Sequence, residues 1–213
     1  MKTRDSGMPD EDWWTTFFDP PVILQTLGFD QIHGPVVDVG CGYGTFTLAL
    51  ARMTRHPVIA LDIETDMVVL TRGKAAQAGF AHVDARLVDV TDGSLGVTPS
   101  SVDVVLLFNI LHCEAPLELL NAARTALRPD GRVGVIHWRS DVPTPRGPDI
   151  AIRPKPDQCR SWLVQTGFQI EREAATLHPY HFGMVGRNPL SEALATPRPS
   201  STCTPPPKSP PLP

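Results

Sequence analysis

The chain has no block of lysine or arginine, and its formal net charge is −4. That balance leaves no electrostatic footprint for nucleic acid and none for an anionic membrane surface. No apolar run approaches the length of a membrane span. The opening stretch, Met1 to Asp12, is polar and acidic and lacks the apolar core of a secretory leader. A cytoplasmic location follows as the expectation, with neither nucleic acid nor membrane as partner. No CxxC pair is present: Cys41, Cys113, Cys159 and Cys203 are scattered. This excludes a dense disulfide framework or a zinc site of familiar spacing, and predicts reduced thiols and no metal. There is no internal repeat, so one domain is expected rather than an array.

What is present is enough for that domain. Hydrophobic residues make up 41% of the 213, sufficient for a sizeable core. Residues 1–12 are expected to be a flexible N-terminus and 13–187 the folded domain. Residues 188–213 are expected to be a disordered tail, because Pro, Ser and Thr accumulate there and no core can form. Within the domain, strand and helix patterns alternate. Strands are predicted over Val36–Gly40, His56–Asp62, Ala85–Val90, Val102–Phe108, Arg132–Trp138, Phe168–Glu173 and His181–Arg187. Helices are predicted over Thr45–Met53, Glu64–Ala78, Leu117–Leu127 and Asp157–Thr166, three of them stopped by Gly79, Arg128-Pro-Asp-Gly131 and Gly167. The fourth strand is apolar enough to be buried on both faces. The alternation predicts an α/β fold, a doubly wound, seven-stranded, mostly parallel sheet with helices on both faces. Ligands in such sheets bind outside the carboxyl ends of the strands.

The strongest local signal is Asp38-Val-Gly40-Cys-Gly42-Tyr-Gly44, between the first strand and the first helix of the alternation. Glycines let the backbone turn tightly and let a ligand lie against it. Asp62 ends the next strand, where a carboxylate can accept both hydroxyls of a ribose. A dinucleotide site wants G-x-G-x-x-G. Here the third glycine comes one residue early and Thr45 holds the dinucleotide position, so a pyrophosphate ligand is disfavoured. The helix N-terminus still suits an anionic group such as the carboxylate of a methionine moiety.

These segments resemble the class I S-adenosylmethionine-dependent methyltransferases. Val37-Asp-Val-Gly-Cys-Gly-Tyr-Gly-Thr-Phe46 is similar to their motif I, and Leu61-Asp-Ile-Glu-Thr-Asp-Met67 to the segment that follows it. Leu87-Val-Asp-Val90 resembles the adenine-contacting stretch. Ser101-Val-Asp-Val-Val-Leu-Leu-Phe-Asn-Ile-Leu-His112 and Pro129-Asp-Gly-Arg-Val-Gly-Val-Ile-His-Trp138 resemble the type 11 pattern. The likeness runs from about residue 13 to residue 187 and implies a Rossmann-like fold and S-adenosyl-L-methionine as cofactor. It implies that Gly40, Cys41, Gly42 and Gly44 line the methionine and ribose, that Asp38 braces the loop, and that Asp62 holds the ribose hydroxyls. Ile63 would pack on adenine, Asp89 and Val90 would read its edge, and Asn109 would face the cofactor amino group. Plainer roles stand beside these: a turn for the glycines, a solvated loop acid for Asp62, a helix cap for Asp89.

Methyl transfer from a sulfonium disperses charge, so positioning and water exclusion supply most of the acceleration. A base is needed only where the acceptor carries a proton that must leave, and histidine suits that near neutral pH. His112 and His137 are the catalytic candidates, the first also readable as a hydrogen bonder at a helix entry. Trp14 and Phe17, in an aromatic-dense stretch ahead of the first strand, and Tyr180, in a late loop, are candidates for the acceptor pocket. Ordinary core packing is the plainer role for each. The long connection after the fifth strand places Arg146 or Arg153 over an anionic acceptor, or is simply a stiff crossover. Asn109 is followed by Ile rather than Pro-Pro-aromatic, a departure from the amino methyltransferases of adenine and glutamine. A small-molecule acceptor, and a monomer or homodimer, are therefore expected. The rivals are a non-catalytic cofactor-binding module and a nicotinamide dehydrogenase.

Overall fold

Runs made mostly of valine and leucine belong at the centre of a sheet covered on both sides. Val36–Val39 (β1) and Val102–Phe108 (β4) are such runs, buried at every position. The computed structural model describes residues 9–177 and 179–190. Two short helices, Glu11–Thr15 (α1) and Pro20–Thr26 (α2), precede β1, and Thr45–Met53 (α3), Val58–Asp62 (β2), Thr65–Gln77 (α4) and Val83–Leu87 (β3) follow it. Beyond β4 come Pro116–Ala126 (α5), Leu127–Trp138 (β5), Pro156–Gln165 (α6), Gln169–Leu177 (β6) and His181–Arg187 (β7). The seven strands form one sheet in the order β3-β2-β1-β4-β5-β7-β6, with β7 antiparallel to both its neighbours and the remaining pairs parallel.

Strand periodicity divides the core between the two faces. Val36, Val58, Val104, Leu106 and Ile136 pack with Ile23 and Leu24 of α2 and Phe46 and Leu50 of α3. Their sequence neighbours Val37, Val105, Leu107 and Val135, together with Val133, pack with Leu119, Leu120 and Ala123 of α5 and Leu163 of α6. The α/β class, the seven strands and the two-sided covering are as the sequence predicts.

Three strands, β3, β5 and β6, differ most from prediction, each for a physical reason. β3 is Val83–Leu87 rather than Ala85–Val90, because the side chain of Asp89 caps a single 3-10 turn over Val90–Asp92 and bends the chain out of the sheet. β5 starts at Leu127 rather than Arg132. The expected stop at Arg128-Pro-Asp-Gly131 is a bulge inside the strand: Val102 pairs with Leu127 and Val104 with Arg132, and Asp130 takes φ 64°. β6 continues to Leu177 instead of ending at Glu173. It is an edge strand with mostly exposed side chains and two register shifts, so it carries no clean alternation for sequence reading to follow. Helix α1 begins at Glu11, and Asn188 is buried with its amide donating to the Leu127 and Arg128 carbonyls. The remainder of the Pro-rich tail, from residue 191, lies outside the described residues, as do residues 1–8.

Candidate functional site

Parallel strands β1 to β5 all end along one edge of the sheet, where side chains and loops leave a cavity of about 560 Å3. That is the size of a small-molecule site, and it lies where open α/β sheets place ligands. Along the strand order, Asp89 and Val90 follow β3, Asp62 and Ile63 end β2, and Asp38, Gly40, Cys41 and Gly42 leave β1. Phe108, Asn109 and His112 leave β4, and Trp138 ends β5. Trp14 from α1, Pro9, and the loop Pro145 to Pro148 complete the wall.

Backbone hydrogen bonds stitch the glycine loop onto β2. The Gly40 and Cys41 N–H groups both donate to the Leu61 carbonyl, at 2.8 and 2.9 Å. Gly42 N–H donates to Asp62 Oδ2 at 2.8 Å and Glu64 N–H to Asp62 Oδ1 at 3.0 Å. The Asp62 carboxylate is thereby fixed from both sides, and its remaining lone pairs are available to a ligand. Gly44 sits behind the loop as the left-handed N-cap of α3, φ 77°. A Cβ there would meet Thr71 Oγ1 at 3.0 Å, and Thr71 itself donates to the Gly42 carbonyl at 2.9 Å. Gly44 holds the turn and, contrary to expectation, does not line the cavity.

The site holds two buried carboxylates, Asp38 and Asp62, close together. Asp38 is buried and accepts from Thr47 Oγ1 at 2.6 Å. Burial raises its pKa to about 6; the Thr47 bond pulls the other way and the Asp62 charge adds to the rise. Burial likewise pushes Asp62 up, against the two N–H bonds. Burial and both carboxylates push the Cys41 thiol up, so it stays protonated and unreactive. Two polar atoms on the cavity wall, Thr45 Oγ1 and Asn109 Oδ1, are buried with no hydrogen-bond partner among the described residues. Asn109 is also held at φ 56°. Unpaired groups of this kind cost about 1–3 kcal/mol each, so both suit a ligand that pairs with them.

Because the folded chain binds the Asp38 proton more tightly than the unfolded chain, protonation favours folding. That stability is full below 3.8 and is lost as pH rises through about 6. Asp38→Asn should therefore gain on the wild type over this window, reaching on the order of 1–3 kcal/mol at neutral pH. Urea midpoints of both proteins at pH 4 and pH 7.5 measure this, and a constant difference between them refutes it.

His112 and His137 meet at one end of the cavity. His112 Nδ1 lies 3.1 Å from His137 Nε2, and His137 Nδ1 lies 3.3 Å from the Trp138 carbonyl. His137 is fully buried, and burial, with His112 adding to the effect, lowers its pKa to about 3. Burial also lowers that of His112.

Comparison with known proteins agrees with this architecture. A family model described as a methyltransferase domain matches residues 36–131, from β1 into β5. A protein from Sulfolobus solfataricus, titled as a type 11 methyltransferase, superimposes with a TM-score of 0.65 at 26% identity, covering 83% of this chain and 95% of its own. Over residues 36–131 the chain is similar to methyltransferase domains, and its fold is that of the class I methyltransferases. An S-adenosylmethionine-dependent methyltransferase from Aquifex aeolicus has the same fold, with a TM-score of 0.72 at 21% identity over 84% of this chain and 93% of its own. Methyltransferase AacuQ of Aspergillus aculeatus is 36% identical over 118 residues, which is 53% of this chain and 36% of that protein. The ubiquinone biosynthesis O-methyltransferase of Xylella fastidiosa is 33% identical over 101 residues, 47% of this chain and 40% of that protein. The chain thus spans about four-tenths of the length of these relatives.

The sequence-predicted cofactor residues Asp38, Gly40, Cys41, Gly42, Asp62, Ile63, Asp89, Val90 and Asn109 all come together on the cavity wall. Asp89 also performs its plainer role: Oδ1 accepts from the Thr91 N–H at 3.0 Å. His112 and Trp14 line the cavity, whereas His137, Phe17 and Tyr180 do not. Phe17 and Tyr180 instead back Trp138, with ring centroids 5.3 and 6.3 Å from its own. Phe17 is displaced because α1 ends at Thr15 and Asp19-Pro20 starts a second helix, turning the ring into the core. Of the two loop arginines, Arg146 lines the cavity. Arg153 braces the loop, donating to the Pro148, Arg139 and Arg146 carbonyls. Phe108 and Trp138, which sequence reading did not assign to the site, are wall residues; their signal was an aromatic at the carboxyl end of a buried strand.

Proposed function

We propose that the chain binds S-adenosyl-L-methionine and transfers its methyl group to a small-molecule acceptor by in-line displacement. One observation carries this: a G-x-G-x-G loop tied to β2, with a doubly anchored carboxylate at its side and two unpartnered polar atoms on the same wall. The chemistry of the wall fits such a ligand. Asp38 and Asn109 Oδ1 are acceptors suited to an ammonium, Thr45 at the start of α3 suits a carboxylate, and Asp62 suits ribose hydroxyls. Ile63 would pack on adenine, and Asp89 and the Val90 backbone would read its edge. Gly40, Cys41 and Gly42 offer backbone without bulk, while Gly44 preserves the turn. S-adenosyl-L-methionine supplies a methyl group activated on sulfonium. The chain's part is to orient and to keep dry: Trp14, Phe108 and Trp138 wall the end next to β4 and β5, where an acceptor would enter.

The cavity size and the net charge of −4 support a small acceptor over a nucleic acid. The name of the Xylella fastidiosa relative supports O-methylation. The same reading takes residues 13–187 as the catalytic domain and keeps the protein in the cytoplasm, as a monomer or homodimer. Among the described residues no helix is long and apolar enough to cross a membrane.

Titration calorimetry with S-adenosyl-L-methionine, its demethylated product and NAD tests the proposal. The first two are expected to bind and NAD to fail; NAD binding without either sulfur ligand overturns it. Donor binding with no label transferred in a broad metabolite screen would instead favour a non-catalytic module.

A further inference from the structure

We infer that His112 and His137 form a proton-ordering pair that leaves His112 Nε2 as a base at the cavity, and that the acceptor is an aromatic hydroxyl. The inference rests on the methyl transfer proposed above and deepens it. The order of protons follows from what each partner can do. A carbonyl only accepts, so the His137 Nδ1 that faces the Trp138 carbonyl at 3.3 Å carries the hydrogen. His137 is fully buried and stays neutral, so its Nε2 is then a bare acceptor. The contact of 3.1 Å to His112 Nδ1 is a hydrogen bond only if His112 donates. Neutral His112 is thereby held with Nδ1 protonated and Nε2 unprotonated. His112 lines the cavity, and with Nδ1 turned to His137 its Nε2 is the ring nitrogen left for a ligand there. His137 never touches the cavity and acts as a positioning residue.

A base there is useless to an acceptor with no proton to lose. In the step it serves, a lone pair on the acceptor oxygen forms the new bond to the methyl carbon as the carbon–sulfur bond breaks, its electron pair remaining on sulfur. The hydroxyl proton passes to His112 Nε2, so one positive charge is lost at sulfur and one appears on the imidazolium. His112 keeps donating through Nδ1 to His137 and later returns the proton to solvent. A phenol, with a pKa of about 10, gives up its proton to a neutral imidazole more readily than an aliphatic alcohol. The walls made by Trp14, Phe108 and Trp138 suit a flat ring.

The tautomer is readable without any acceptor, by nitrogen-15 histidine spectroscopy of the full chain, with His112→Asn identifying the resonances. His112 is expected with a protonated Nδ1 and an unprotonated Nε2. His137→Gln, whose amide oxygen still accepts, should preserve this state, and His137→Met should release a mixture of tautomers. A wild-type His112 that is protonated at Nε2, or is already mixed, overturns the pair. A labelled-methyl screen over phenols, alcohols, thiols and amines of similar size reads the acceptor class: label on phenols supports it, and label only on the others overturns it. Donor binding by calorimetry is independent of both, so its failure strikes the proposed function while leaving the tautomer result standing.

Discussion

His112→Asn should lower kcat by about 10²–10⁴-fold, the span over which positioned general bases act, while donor affinity stays close to that of the wild type. Asparagine is the informative replacement. Its amide reaches about as far as the imidazole Nδ1 and can still donate to His137 Nε2, so the hydrogen bond at 3.1 Å is kept. What is removed is the ring nitrogen on the cavity side. A loss confined to kcat assigns that nitrogen to proton removal; an equal loss in donor binding assigns His112 to the binding wall instead. Single-turnover rates with labelled methyl donor, measured on the acceptor that the screen identifies, make the distinction. An unchanged kcat removes His112 from the chemistry.

Asp62→Ala should weaken S-adenosyl-L-methionine binding by at least about tenfold, or 1.4 kcal/mol, the scale of lost charge-assisted hydrogen bonds. The carboxylate does two things at once. Its oxygens accept from Gly42 N–H and Glu64 N–H, which holds the glycine loop against β2, and they present acceptors to a ribose. Alanine removes both, so a ligand would meet a looser loop as well as a missing partner. Its burial opposes ionisation, so the charge itself adds nothing to folding and the variant should remain folded. Calorimetric Kd values for the donor and its demethylated product should shift together. An unchanged Kd takes Asp62 out of the site.

Much of this was legible along the chain, and the reason is local. The order of strands and helices follows from apolar period and from Gly79 and Gly167, which stop two of the helices, and β4, α3 and β7 match their predicted ends to the residue. The glycine loop and Asp62 were readable together because consecutive parallel strands place their carboxyl ends side by side: Val39 pairs with Leu61, one residue before the acid. The misreadings have the opposite character. Phe17 was assigned to the pocket from its place in an aromatic run, but the break at Asp19-Pro20 sets which rings face inward, and Phe17 goes behind Trp138. Tyr180 follows it there. His137 looked substrate-facing because it ends a strand, yet strand alternation sends it into the core and brings Trp138 to the cavity.

The sequence by itself determined the fold class and which loop residues and acids line one half of the cavity, because both depend on spacing within one strand–loop–helix unit and its immediate neighbour. Only the tertiary structure decided the other half. The contact of His112 with His137, the place of Pro145 to Pro148 on the cavity wall, and the choice of Trp138 over Phe17 as wall join segments far apart in the chain. Such contacts are set by how β4, β5 and the leading helices pack against one another, and no periodicity along a single segment records that outcome.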